Sequence, residues 1–181
     1  MKASEADILI VPGLGGSGPD HWQSRWERNL STARRVEQTD WERPDPVEWP
    51  AALIAQAKSA ERPVVIVAHS LGVLVCVNAA RHLRGVVRGA FLVAPPDPAG
   101  AAFPEAASGF ATVSTDPLPF PSFVIASRTD PYCLYETAGD MANAWGSLLL
   151  DAGDAGHINT VSGHGPWPEG TLVFARFLQH L

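Results

Sequence analysis

The sequence predicts an α/β protein: a three-layer α/β/α sandwich around a mostly parallel sheet, with residues 1–181 forming a single domain. Three observations carry that expectation. Short, near-continuous aliphatic runs recur at 8–11, 64–68, 90–94, 123–126 and 148–150, as strands buried on both faces require. Stretches of helical character with recognisable ends separate these runs, which implies right-handed crossovers between parallel strands. A chain of 181 residues is long enough for one substantial core.

Taken in order, the first strand covers 8–11, and Pro19-Asp20 starts a helix that runs through Leu30. Residues 33–36 carry Arg34 and Arg35 and are at best an edge strand. Asp45 is an N-cap with Pro46 at the first helical position, opening a helix over 47–60; Pro50 is tolerable in its first turn. After the strand at 64–68, the alternation of Val73, Val75 and Val77 permits a hairpin. That segment ends in alanines, then Arg81, His82 and Arg84, then Gly85, which is a helix C-terminus with charges matched to its dipole. Strand, sharp turn and helix is therefore the reading adopted. Residues 95–121, rich in Pro, Ala and Gly, show no clear element and are expected to drape over a site as a small lid. A helix over 132–145 is weakened by Gly139, and Pro168-Glu169 opens a last helix with Leu172, Val173, Ala175, Phe177 and Leu178 turned mostly inward.

Composition narrows the function classes. With 46% hydrophobic and 18% charged residues the chain is globular. A net charge of −6 and no basic run argue against nucleic acid as a partner. Cys76 and Cys133 are too few for a disulfide framework and are expected as reduced thiols; with the histidines scattered, no metal site is expected. The first aliphatic run is too short for a signal-peptide core and none approaches a membrane span, so a soluble, cytoplasmic protein with no membrane partner is expected.

The chemistry concentrates at His69-Ser70-Leu71-Gly72. A serine on a strand-to-helix turn needs small residues two before and two after it, because strand and helix nearly touch there; these are Ala68 and Gly72. Ala68 replaces the glycine that the G-x-S-x-G pattern has. A serine hydroxyl needs a base and an orienting carboxylate, which in such sheets follow in that chain order from loops at the C-terminal ends of later strands. Asp130 lies just beyond the strand at 123–126, and His157 lies in the glycine-rich loop beyond 148–150. Asp97, after the strand at 90–94, is the rival acid; Asp151 and Asp154 suit turn stabilisation better. His69, beside the serine on the turn, points its side chain away from it. His21 and His164 are expected at the mouth of the site, His82 and His180 at helix ends or the surface. Cys133 is expected to pack rather than react.

Gly13, Gly15 and Gly18 fit the dinucleotide fingerprint G-x-G-x-x-G, with Glu37 near the place of a ribose-binding acid. The bulky and polar residues after Gly18 suit that close helix packing poorly, so a nucleotide-dependent oxidoreductase is the weaker alternative. The other use of the loop is to present backbone N–H groups to the oxygen that becomes negative when Ser70 attacks a carbonyl. Leu71 is one donor; Leu14 is the first choice for the second, and Gly15 the next.

On these residues the chain resembles the small serine hydrolases typified by retinoblastoma-binding protein 9 and bacterial YdeN. The resemblance rests on PGLGGSGPDHWQSRWE at 12–27, AHSLG at 68–72, SRTDPYC at 127–133, GDAGHIN at 153–159 and GHGPWPEG at 163–170. It implies a compact α/β-hydrolase fold without a large cap, and a catalytic Ser70, Asp130 and His157. Trp22 and Trp167 are candidates, with His21 and His69, for the wall of an acyl pocket. The expected activity is cofactor-independent hydrolysis of small carboxylic esters. Thioester, amide and peptide substrates stay open, and so does a catalytically weak binding protein of the same fold.

Overall fold

Each aliphatic run singled out above is a strand. A computed structural model describes residues 1–181. The strands are β1 (Asp7–Val11), β2 (Ala33–Arg35), β3 (Val64–His69), β4 (Val87–Val93), β5 (Ser122–Ala126) and β6 (Leu148–Asp151). They form one sheet in the order β2-β1-β3-β4-β5-β6, and every pairing is parallel. The arginine-bearing β2 is an edge strand, as its composition requires. β4 begins three residues before the expected start, at Val87, because exposed Arg88 interrupts the aliphatic pattern without interrupting the strand.

Side chains alternate between two cores. Leu9, Val11, Ile66, Ala68, Leu92 and Val124 face the larger one, packed by α2 (Glu48–Lys58), α3 (Leu71–Ala79) and residues of α4 (Tyr135–Ala144). Ile8, Ile10, Val65, Val67, Phe91 and Ile125 face the other, packed by α1 (Trp22–Asn29) and α5 (Pro168–Gln179). This is the three-layer sandwich, with all strands parallel.

Two local outcomes refine the sequence reading. Residues 71–79 are helical despite the valine alternation, and every residue of α3 except Asn78 is buried, so neither periodicity marked a solvent face. The first helix starts at Trp22, after Pro19 and Asp20: His21 is its N-cap, and His21 Nδ1 accepts the backbone N–H of Gln23 at 3.1 Å. Asp45 does cap α2, its Oδ1 accepting the N–H groups of Val47 and Glu48, each at 2.8 Å. Within 95–121 a short 3-10 helix spans Glu105–Phe110. No helix is long and apolar enough to cross a membrane.

Candidate active site

A parallel sheet sends every strand-end loop to one edge, so β1, β3, β5 and β6 all deliver their following loops to the same place. Ser70, between β3 and α3, holds φ +54° and ψ −128°, a left-handed conformation that costs a non-glycine residue free energy. The crossing chain leaves that turn little room. A Cβ on Gly72 would lie 2.2 Å from the Val11 carbonyl oxygen, and one on Gly13 would lie 2.9 Å from Ser70 Cβ. The two flanks of the turn therefore differ. Gly72 admits no side chain, whereas the methyl of Ala68 is absorbed in the larger core.

His157 Nε2 lies 2.8 Å from Ser70 Oγ, and His157 Nδ1 lies 2.9 Å from each carboxylate oxygen of Asp130. The carboxylate can accept but not donate, so in the neutral ring Nδ1 carries the hydrogen and Nε2 turns its lone pair to the serine. The side chains of His157 and Asp130 are 8% and 3% exposed, which keeps water from competing for these bonds. Asp97, the rival acid, is occupied elsewhere: its Oδ1 accepts the Ala99 N–H at 2.9 Å and closes a turn. Asp151 likewise serves a turn, accepting from Gly153 and pairing with Arg128.

The loop that carries His157 is pinned on several sides. His69 Nε2 contacts the His157 carbonyl oxygen at 2.9 Å, and Trp22 Nε1 donates to the Ile158 carbonyl at 2.9 Å. From the Asp130 loop, Ser127 Oγ and Thr129 Oγ1 accept the N–H groups of Ala155 and Gly156 at 2.9 and 3.1 Å. Burial pushes the His69 imidazole well below its usual pKa, with the neighbouring His157 and His21 adding to the effect. The same cause, with Arg35 and two further histidines contributing, lowers His21 to about 4. The Cys133 thiol is pushed up to about 12, first by burial and then by Asp97 and Asp130, so it is no nucleophile.

For a developing oxyanion, two amides are free. The Leu71 N–H is the first of α3 and has no intrahelical partner, and the Leu14 N–H makes no hydrogen bond within the chain. Gly15 is corrected as a donor: its N–H is committed to the Trp41 carbonyl at 3.0 Å. The dinucleotide alternative loses its third glycine too. Nothing lies within 4 Å of a Cβ built on Gly18, so that residue performs no close packing, and the loop is folded against Ser70 instead.

A cleft of about 200 Å3 opens beside Ser70. His21 and His69 line it, as expected. Trp22 and Trp167 do not: they pack in the α1–α5 core, ring centroids 4.9 Å apart and planes inclined by 60°, and Trp22 is fully buried. His164 also lies outside the cleft, against Trp167. The segment 95–121 does cover the site, as expected: Pro96, Phe103, Pro104 and Ala107 form one wall, though none of the four was singled out from the sequence. Tyr132, whose ring centroid is 4.6 Å from that of His157, forms another, and its place two residues after Asp130 was the available signal. No Asp, Glu, Lys or Arg lines the cleft.

The family model for serine hydrolases matches residues 8–176. The chain belongs to the serine hydrolase family. It is thus a hydrolase with the α/β-hydrolase fold and no large cap. Among solved structures it is similar to a YdeN-like hydrolase from Pectobacterium atrosepticum, with 32% identity over 97% of this chain and 91% of that one, and a TM-score of 0.85. The ydeN gene product of Bacillus subtilis is 20% identical over 97% and 99% of the two chains, with a TM-score of 0.78. Esterase 2 of Thermogutta terrifontis shares the fold at 16% identity, over 99% of this chain and 85% of that one, with a TM-score of 0.69. No curated relative matches the chain.

Proposed function

We propose that this hydrolase cleaves small, uncharged carboxylic esters through an acyl-enzyme formed on Ser70. The observation that carries the reading is the continuous hydrogen-bonded row from Ser70 Oγ through His157 to Asp130, set beside two free amides. His157 takes the hydroxyl proton as Ser70 Oγ bonds to the ester carbonyl carbon. Asp130 holds the ring in the tautomer that can accept, and stabilises the imidazolium that forms. The Leu71 and Leu14 N–H groups receive the carbonyl oxygen as it becomes negative. His157 then protonates the departing alkoxide. In the second half, His157 deprotonates a water that attacks the acyl carbon, and Ser70 is released with its proton restored.

The cleft supports the substrate class. About 200 Å3 suits a short acyl group, being less than drug-sized ligands occupy. A lining without ionised side chains offers a charged substrate no counter-ion and would strip it of water. Soluble residence in the cytoplasm is part of the same proposal, argued from the short aliphatic runs and the reduced cysteines.

The test is labelling with a fluorophosphonate followed by peptide mapping, together with p-nitrophenyl acetate turnover. The expected result is an adduct on Ser70 and a loss of at least ~10³-fold in kcat for Ser70→Ala. An adduct on another residue, or equal rates for both proteins, sinks the assignment.

A further inference from the structure

Gln23 fixes the polarity of two cleft-lining groups that the proposed mechanism leaves unused. It is fully buried at the start of α1, and its side-chain NH2 donates to the carbonyls of Val11 at 3.2 Å and Val67 at 3.1 Å. With both partners acceptors, the amide has one orientation, and its Oε1 is left to accept. Ser17 Oγ lies 2.7 Å from that Oε1, so the Ser17 hydroxyl must donate to it. Ser17 Oγ therefore offers lone pairs to the cleft and no proton.

The backbone N–H of Gln23 fixes the second group. It donates to His21 Nδ1, so the neutral His21 ring carries its hydrogen on Nε2. That Nε2–H is buried and finds no partner anywhere in the chain, although His21 is 5% exposed and lines the cleft. An unpaired buried donor is a standing cost that a ligand acceptor removes. The ring stays uncharged because burial and Arg35 hold its pKa down. Ser17 is equally fixed: its carbonyl accepts Ser24 Oγ at 2.6 Å and an Arg35 guanidinium nitrogen at 3.3 Å.

We infer that His21 and Ser17 form a recognition station for a hydroxyl group on the ester substrate, His21 Nε2–H donating to the hydroxyl oxygen and Ser17 Oγ accepting the hydroxyl proton. A neutral donor and a neutral acceptor that line the same cleft, each held by Gln23, select a ligand group that both accepts and donates without charge. In a cleft of about 200 Å3 that must also hold the scissile ester, an alcohol is the smallest such group. The His21 ring lies 4.8 Å from His69, and His69 lies 5.0 Å from His157, so the station stands to one side of the reacting centre. This inference rests on the proposed esterase reading and names its substrate more closely.

The test compares short methyl esters bearing a hydroxyl on the second, third or fourth acyl carbon, and esters bearing it on the alcohol side, each with its deoxy parent. For at least one pair the wild-type protein is expected to favour the hydroxylated ester about tenfold or more in kcat/KM, the order of one buried hydrogen bond. That ratio is expected to fall to about one in His21→Asn, which keeps a capping oxygen for Gln23 but is too short to supply the donor. It is expected to fall likewise in Ser17→Gly, which removes the hydroxyl at a position with φ +51° where glycine is at ease. No preference in any wild-type pair, or a preference that survives both substitutions, overturns the station. Calorimetry on Ser70→Ala protein separates this from the parent reading. Tighter binding of the hydroxylated ester without wild-type turnover keeps the station and sinks the esterase, and equal or absent binding of both esters sinks the station.

Discussion

His69 donates from Nε2 to the main-chain carbonyl oxygen of His157 across 2.9 Å, joining the residue beside the proposed nucleophile to the backbone of the proposed base. A carbonyl only accepts, so this nitrogen must carry a hydrogen, and the ring is neutral because burial opposes its charge. The side chain does point away from Ser70, as the turn dictates, but it turns towards the loop that must be held in register with Ser70. His69→Phe is expected to lower kcat by ~10–100-fold with KM little changed, since small misplacements of a reacting group have costs of that order. His69→Gln, with an amide N–H near the position of Nε2, should recover most of the loss. Steady-state kinetics of the two variants separate a hydrogen bond from mere bulk.

Asp130→Asn preserves shape but removes the acceptor that keeps the proton on His157 Nδ1. The expected loss is ~10⁴-fold in kcat. Asp97→Asn should change the rate less than twofold, because Asp97 Oδ1 serves the turn at Ala99. Initial rates of ester hydrolysis for the two variants decide which carboxylate belongs to the row.

Gly72→Ala and Gly13→Ala should fail differently. At Gly72 the new methyl meets rigid backbone at 2.2 Å, so overpacking of several kcal/mol and a markedly lower Tm are expected, on the order of 3 kcal/mol or more. At Gly13 the nearest atoms are Ser70 Cβ at 2.9 Å and the Leu71 amide nitrogen at 3.0 Å. That protein should fold with a smaller loss of stability and show a kcat reduced ~10²-fold or more, the size expected if the Leu71 amide is displaced from its proposed place as an oxyanion donor. Thermal melts and kinetics of both variants test the contrast.

Acid should destabilise the fold before its carboxylates are titrated. The His21 pKa falls from 6.5 to about 4 on folding. Between those values the unfolded chain binds a proton that the folded chain refuses, so stability rises with pH and is lost as pH falls through this window. The loss is nil at neutral pH and reaches about 3 kcal/mol below the folded value, for a fall from 6.5 to about 4, and His69 acts in the same direction. Urea unfolding at pH 7 and pH 4.5 should show the loss, and His21→Asn should flatten it.

The strands and the order Ser70, Asp130, His157 were legible because both are written locally: an aliphatic run, then a turn with a reactive residue at its end. Trp22 and Trp167 were assigned to the pocket because they neighbour site motifs in sequence. Trp22 and Trp26, one helical turn apart, carried the better signal, an inward face that packs on the sheet. The wall from Phe103 to Ala107 was not legible, since a segment rich in Pro, Ala and Gly has no periodicity from which to read its inner side. Nor was Gln23, whose role depends on two carbonyls from different strands meeting one amide.

The sheet order has a consequence for how activity is lost under stress. Ser70 follows an interior strand, flanked on both sides by paired neighbours, whereas His157 follows β6, which has a partner along one edge alone and exposes Leu148. Peripheral strands fray at lower free energy than interior ones. The loop that carries His157 is therefore expected to open before the turn at Ser70, in spite of its side-chain ties, and amide hydrogen exchange in mild denaturant should find it the less protected of the two.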